Sequence, residues 1–342
     1  MSLRVGPFSG PADEWDQFVR RQPGWTHFHL AGWRDVIGDV FGHECPYLEA
    51  RDEAGALRGV VPLVRVRSVL FGHFLVSMPF VNYGGPLGDA DAVRAMAGRA
   101  VELAAESGAH LLELRSRQAL SLDLPVSHRK ITVLLDLAPV NGAGLWDRLN
   151  AKVRSQVRRP QKEGVEVRFG AEQVGPFHRV FAHHMRDLGT PSLPARFFET
   201  LARQFGDDVW FGCAYHEGHP VAAGCGFRWG DEFEMTWASA LRAYNTIAPN
   251  MLLYWRFMEQ CTSLGVRTFN FGRCTPESGT HKFKRQWGTR DEALWWYQSG
   301  PRRDAGTPSP DHGPFSWGPR IWRRLPLALA NTLGPAVVKY IP

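Results

Sequence analysis

The residues best able to do chemistry lie between Pro249 and Gly288. Gly279 and Thr280 are followed closely by Lys282, Lys284 and Arg285. A glycine-containing turn with such neighbours can hold a phosphate through backbone N–H groups and charge. Arg273 ends an FNFGR segment that reads as a strand and points at the same loop; its other reading is an ion pair with Glu277. Asn250, just after Pro249, reads as a helix N-cap, and that helix end suits an anion. One turn further on, Tyr254 and Trp255 read as core aromatics, with Tyr254 also a candidate proton relay or pocket wall. Lys284 alone could equally lay its stem over Trp287 on an amphipathic strand.

A second basic group lies upstream. Arg154, Arg158 and Lys162 are spaced i, i+4, i+8, a row that suits a phosphate-bearing carrier such as tRNA, a nucleotide-sugar or a lipid diphosphate. Pro160 is expected to interrupt this helix, because it disfavours helical backbone at Arg159. From Trp146 to Gly170 there are seven Lys/Arg against three Asp/Glu, and from His281 to Arg290 four basic residues and no acid. Such regions imply anionic ligands or, more plainly, solvated helix faces.

Several chemistries are missing. There is no G-x-x-x-x-G-K-[ST] and no G-x-S-x-G. The GCGFRWG run around Gly224 and Gly226 has the wrong spacing and setting for a dinucleotide fingerprint. The five cysteines form no C-x-x-C pair, which argues against disulfides and zinc and for a reducing, cytoplasmic compartment. His183 and His184 diverge on a helix, and His27 and His29 lack a third ligand, so no metal is expected. MSLRVGPFSG lacks a signal-peptide core, and no run approaches the ~20 apolar residues that span a bilayer.

At 342 residues with 44% hydrophobic content, two packed domains are expected. In the first half, helices at 13–21 and 33–41 precede two strands within 46–69, a strand at 76–81, a helix at 90–107, and strands at 110–115 and 131–137. The second half repeats the order. A basic helix at 146–159 and a strand at 165–169 lead to helices at 180–188 and 196–205. A β meander over 209–239, a helix at 250–264 and strands at 267–271 and 294–298 follow. This predicts an α/β (α+β) protein made of a duplicated unit, 1–145 and 146–300. Residues 301–313 would be a linker, leading to a basic-aromatic tail to 342.

Several segments in this order resemble FemAB-like transferases, most closely a FemAB-related group associated with exosortase, PEP-CTERM and exopolysaccharide genes. They are MRDLGTP (185–191), APNMLLYW (248–255), FNFGR (269–273), GTHKFKRQWG (279–288) and the basic KVRSQVRRPQKEGVEV (152–167). The resemblance implies two tandem GNAT-like domains, each a mixed, mainly antiparallel sheet flanked by helices. It implies acyl or aminoacyl transfer that forms an amide on an envelope glycan, peptidoglycan or exopolysaccharide precursor. No permanently bound cofactor is implied; the donor would be acyl-CoA or aminoacyl-tRNA, with tRNA a partner in the second case. Lys284 falls at the family's Phe-Lys position, where it would stabilise developing charge while Phe283 lines the acyl pocket. Lys152, Arg154 and Arg158 fall in its basic helix. Trp33 and the NYGG turn with Tyr83 stand where first-domain residues would meet the acceptor. The chain lacks the helical arm of some relatives and the Q/R-x-x-G-x-G/A coenzyme A loop, having LRAYNTIAPN instead. The tail carries Trp317, Trp322, Arg320, Arg323 and Arg324 ahead of an apolar run. It is expected either to rest on the inner face of a membrane or to pack on the domains. Two other classes stand beside the enzyme: a non-catalytic GNAT-shell scaffold of exopolysaccharide assembly, and an RNA-binding module using the basic helix.

Overall fold

The computed structural model describes residues 3–137, 142–301 and 318–342. In chain order it begins β1 (Arg4–Pro7), α1 (Ala12–Arg21), α2 (Gly32–Phe41), β2 (Leu48–Arg51), β3 (Leu57–Val61), β4 (Leu63–Ser68), β5 (Gly72–Ser77), β6 (Leu87–Gly88), α3 (Ala90–Glu106), β7 (Leu111–Ser116) and β8 (Val126–Ser127). It continues β9 (Ile131–Asp136), α4 (Gly142–Arg148), α5 (Ala151–Lys162), β10 (Glu166–Phe169), α6 (Val174–Leu188), α7 (Ala195–Phe205), β11 (Val209–His216), β12 (His219–Trp229) and β13 (Glu232–Ala240). It ends α8 (Pro249–Ser263), β14 (Thr268–Cys274), α9 (Gly279–Arg285), β15 (Arg290–Ala293), β16 (Trp295–Ser299), α10 (Gly318–Trp322) and α11 (Leu327–Val338). Residues 302–317, with most of the expected linker and the start of the tail including Trp317, lie outside the described residues.

The chain divides into two compact units, the first Met1–Arg129, Ala293–Gly313 and Val337–Pro342, the second Lys130–Glu292 and Pro314–Ala336. Each borrows one strand across the division at 145/146 expected from element order. β9 joins the second unit's sheet, and β16 joins the first unit's.

The first unit has a four-stranded sheet, β1-β2-β3-β6, and a five-stranded one, β4-β5-β7-β16-β8. The two strands expected within 46–69 are three. Pro62 breaks the run between β3 and β4, and the chain passes from one sheet to the other there. The strand expected at 76–81 lies earlier, because Met78 and Phe80 have φ of 57° and 70° and cannot extend it. Asp89 caps α3, its Oδ1 accepting the Ala92 N–H at 3.0 Å.

The second unit is a seven-stranded sheet, β10-β11-β12-β13-β14-β9-β15, antiparallel from β10 to β13 and parallel between β13 and β14. Helices cover both faces. Phe211 of β11 meets Phe177 of α6, whereas its neighbour Gly212 lies under Phe257 of α8, and adjacent strand residues face opposite ways. A Cβ on Gly212 would stand 2.7 Å from Phe257, and one on Gly224 would stand 3.0 Å from the same ring. Gly224 in the GCGFRWG run therefore serves close helix–sheet packing. Gly226 sits at a bulge opposite β13, where a Cβ would come 2.2 Å from the Glu234 carbonyl oxygen.

The basic helix differs from expectation at both ends. It is broken before Ala151, where Asn150 Oδ1 accepts the Val153 N–H at 2.9 Å. It then continues through Pro160 to Lys162. Proline removes one helical donor, and here the residue is buried in the last turn. Arg154, Arg158 and Lys162 consequently share one unbroken helix.

The packing around Gly226 yields a stability prediction. Gly226→Ala should destabilise the protein by about 1–3 kcal/mol through overpacking, seen as a lower midpoint in thermal unfolding. An unchanged midpoint would contradict the close approach of β13.

Candidate functional site

The most distinctive feature of the second unit is the place where β13 and β14 part. Their parallel pairing covers only Glu232↔Thr268, Phe233↔Phe269 and Glu234↔Asn270. Beyond it β13 stays with β12 as far as Ala240, while β14 bulges between Asn270 and Arg273 and stays with β9. Gly272 permits the bulge with a φ of 70°.

Asn270 ties the diverging strands together. Its Oδ1 accepts the Gly272 N–H at 2.8 Å and the Thr132 hydroxyl at 2.7 Å. Its Nδ2 donates to Glu232 Oε1 at 2.7 Å and Glu234 Oε2 at 3.2 Å. Glu234 Oε1 in turn accepts from the Thr236 hydroxyl at 3.1 Å. Asn270, Glu234 and Thr132 are wholly buried, and a carboxylate so enclosed needs such donors.

Lys284 reaches the bulge from α9. Ser278 caps this helix, its Oγ accepting the His281 N–H at 3.2 Å. His281 is buried, accepting the Glu277 N–H on Nδ1 at 3.0 Å and placing Nε2 3.1 Å from the Asp291 carboxylate. With α9 fixed at both flanks, Lys284 is only 4% exposed, and its Nζ donates to the Gly272 carbonyl at 2.7 Å and the Arg273 carbonyl at 2.9 Å. An ammonium has three N–H groups, which leaves one to donate elsewhere. Burial pushes the Lys284 pKa down to about 8; the Cys274 and Glu234 side chains oppose the shift, and Arg273 adds to it.

The other expected site residues are spread more widely. Lys282, Lys284 and Arg285 do not converge on one anion, because they lie on a helix rather than a strand or turn. Lys282 is exposed, and Arg285 is exposed and paired with Asp291 at 3.1 Å. Phe283 packs its ring on Tyr254, with centroids 5.2 Å apart. Tyr254 is buried, stacked on Phe271 at 5.3 Å, and burial raises its pKa well above the usual tyrosine value. That makes it a wall of the core and a poor proton relay at neutral pH. Asn250 does not cap α8. The helix starts at Pro249, a residue suited to the first helical position, behind Ala248 in left-handed backbone with no side-chain cap. Arg273 is half-buried at the bulge itself.

On α5, Lys152 and Arg158 are exposed and Arg154 is half-buried; the Arg158 guanidinium lies 5.1 Å from the Trp146 ring centroid. In the first unit Trp33 is fully enclosed, its Nε1 donating to the His27 carbonyl at 3.1 Å, so its role is packing. Tyr83 lines a small cavity with Thr26, His29, Ser116 and Arg117, the Arg117 guanidinium 5.3 Å from its ring centroid. His29 is held between the Thr26 hydroxyl at 2.9 Å and the Gly85 carbonyl at 3.0 Å. Burial lowers its pKa to about 4, and that of His27 to about 3. Among the described residues no group of three or more His, Cys, Asp or Glu could hold a metal.

Sequence reasoning missed Glu234, Asn270 and Thr132. A signal was present: asparagine is disfavoured within strands, and the N-F-G spacing places a glycine where a bulge would need one.

A mixed sheet flanked by helices, with two central parallel strands that part next to a long helix, is the GNAT fold, and the whole chain follows a tandem arrangement of it. Residues 148–285 match the family described as acetyltransferase (GNAT) domain. FemX is similar over 87% of this chain and 97% of its own, at 13% identity and a TM-score of 0.64. L-PGS from Bacillus licheniformis is similar over 87% of this chain and 93% of its own, at 13% identity and a TM-score of 0.56. A tandem GNAT protein from the clavulanic acid biosynthesis pathway is similar over 88% of this chain and 99% of its own, at 14% identity and a TM-score of 0.50. No curated protein sequence matches the chain.

The buried amine carries a pH signature. Lys284 binds its proton less tightly in the fold than in the unfolded chain, so the unfolded state holds more protons between about pH 8 and the ordinary lysine value of 10.5. The cost of burying its charge is therefore full below about pH 8 and is relieved as pH rises across that window, so stability should rise with pH there. Urea titrations of wild type and Lys284→Met should show their difference moving in favour of wild type from pH 8 to 10.5. A constant difference would mean that the amine titrates normally.

Proposed function

We propose that this protein is an acyltransferase that moves an acyl or aminoacyl group onto an amine and forms an amide. The observation that carries the reading is the parting of β13 and β14 beside a buried lysine that has one N–H left to give. Transfer from a thioester or ester passes through a tetrahedral oxyanion, which needs a donor already in place. In the proposed step the acceptor nitrogen attacks the acyl carbonyl carbon and the Lys284 ammonium donates to the resulting oxyanion. The attack forms the C–N bond; collapse of the oxyanion restores C=O, breaks the C–S or C–O bond to the carrier, and the departing thiolate or alkoxide takes the proton lost by the amine. Phe283 would wall the acyl group, Asn270 would bridge the strands at the point where they part, and the Glu234 carboxylate would favour the charged ammonium.

For the donor, acyl-CoA fits the acetyltransferase domain match over 148–285. Aminoacyl-tRNA fits the cations of α5, with exposed Lys152, Arg158 and Lys162 and half-buried Arg154 along one helix. For the acceptor, the reading takes an envelope glycan, peptidoglycan or exopolysaccharide precursor, in line with the exosortase- and PEP-CTERM-associated FemAB resemblance. A second reading, a non-catalytic GNAT shell in exopolysaccharide assembly, is favoured by one observation: Lys284 is almost fully enclosed.

Removal of one such donor lowers a rate by roughly 10²–10³-fold. Lys284→Ala, checked for folding by circular dichroism, should lower amide formation by that factor. At saturating acceptor, wild-type turnover should fall as pH rises through about 8, the value to which burial brings Lys284, because the ammonium is lost. Mass spectrometry of envelope and polysaccharide precursors from a deletion strain would name the transferred group. Full activity in Lys284→Ala removes the assignment, and unchanged precursors would favour the scaffold.

A further inference from the structure

The described tail leaves an apolar and cationic surface on the second unit that the acyl-transfer site does not use. α10 and the chain after it are fastened to the end of α6. Arg323 donates to the Leu188 carbonyl through Nε at 3.2 Å and Nη2 at 3.1 Å, and Arg186 donates to the Leu325 carbonyl at 3.4 Å. Both seating points use glycine, strictly at Gly189, whose φ is 83°, and for close approach at Gly334. A Cβ on Gly189 would stand 2.5 Å from the Pro319 carbonyl oxygen, and one on Gly334 would stand 3.2 Å from the Ser192 nitrogen. α11 thus turns Ala330 and Gly334 inward, both buried, one turn apart.

What faces outward is unusual for a seated helix. Leu329 and Leu333, also one turn apart, are 51% and 48% exposed, Ile321 on α10 is 53% exposed, and Leu188, whose carbonyl holds Arg323, is 41% exposed. Four of the eight most exposed large apolar side chains among the described residues belong to this one region. Arg320 and Arg324 are exposed beside Ile321, and the sequence from Phe315 to Pro342 contains four basic residues and no acid. No helix among the described residues is long and apolar enough to cross a membrane.

We infer that the surface formed by Leu188, Ile321, Leu329 and Leu333, with Arg320 and Arg324, docks the protein on an anionic lipid bilayer. Apolar side chains that enter the acyl boundary, with cations at headgroup level, give interfacial attachment whose strength depends on both terms. The acid-free sequence favours a negatively charged surface over a neutral apolar partner. The inference stands independently of the acyl-transfer reading, since no residue of the β13–β14 site takes part.

The test is sedimentation of the full chain with vesicles of phosphatidylcholine alone or with about 30 mol% phosphatidylglycerol. Binding to the anionic vesicles is expected near 0.1 M salt, weakening towards about 0.5 M as screening grows. Leu329→Ser with Leu333→Ser should weaken it by at least about tenfold, as should Arg320→Glu with Arg324→Glu. These side chains are exposed, so thermal unfolding should be unchanged. The inference is overturned if the chain stays in the supernatant with anionic vesicles, or if the double serine variant binds as wild type does. A concentration-dependent dimer abolished by the serine substitutions would also overturn it, because the surface would then be covered by a second copy.

Discussion

The second unit is organised around the carboxamide of Asn270. It stands at the last residue where β13 and β14 are paired, and it satisfies two strands at once. Its oxygen takes the N–H freed by the bulge and the hydroxyl of Thr132 on β9, while its nitrogen serves Glu232 and Glu234 on β13. Without such a bridge, two strands leaving each other inside a protein would expose backbone groups that burial penalises. The parting is therefore stabilised from within by a polar cluster, and the cluster leaves an opening in an otherwise continuous sheet.

Electrostatics then decide what the opening can do. The bulge turns two carbonyls toward Lys284, which holds an ammonium where solvent alone would not support one. Burial acts against its charge and the Glu234 carboxylate acts for it. A group balanced in this way can respond to a charge that appears nearby, since little reorganisation is needed. The same lysine donates to both bulge carbonyls, so the proposed chemical role and a structural one fall on one side chain, and a loss-of-activity variant has to be read together with a folding measurement.

Much of the architecture could be read from residue patterns. Asp89 and Gly108 mark the ends of α3, and the turn residues EGHP and WGDE gave the meander over 209–239. What could not be read were long-range choices. β9 lies in the second unit and β16 in the first because strand pairing depends on edges that local patterns do not reveal. Pro160 was expected to stop a helix that runs on through it to Lys162, with the proline buried in the last turn. Within the site, Lys284 was legible as a motif position, whereas the helix that leaves Lys282 exposed and pairs Arg285 with Asp291 was not, because the glycine-containing segment reads as a turn. The cluster of Glu234 and Asn270 was not legible, because only the register that pairs β13 with β14 brings the two together.

The central claim is that the gap between β13 and β14 receives the acyl carrier. Hydrogen–deuterium exchange of the full chain, with an acyl-CoA and with aminoacyl-tRNA in turn, tests it most directly. The account predicts that one of the two slows exchange along residues 235–240 and 271–274 and at the start of α8. If neither donor protects these segments, or if protection falls only elsewhere in the chain, the gap is not a donor site and the account is wrong.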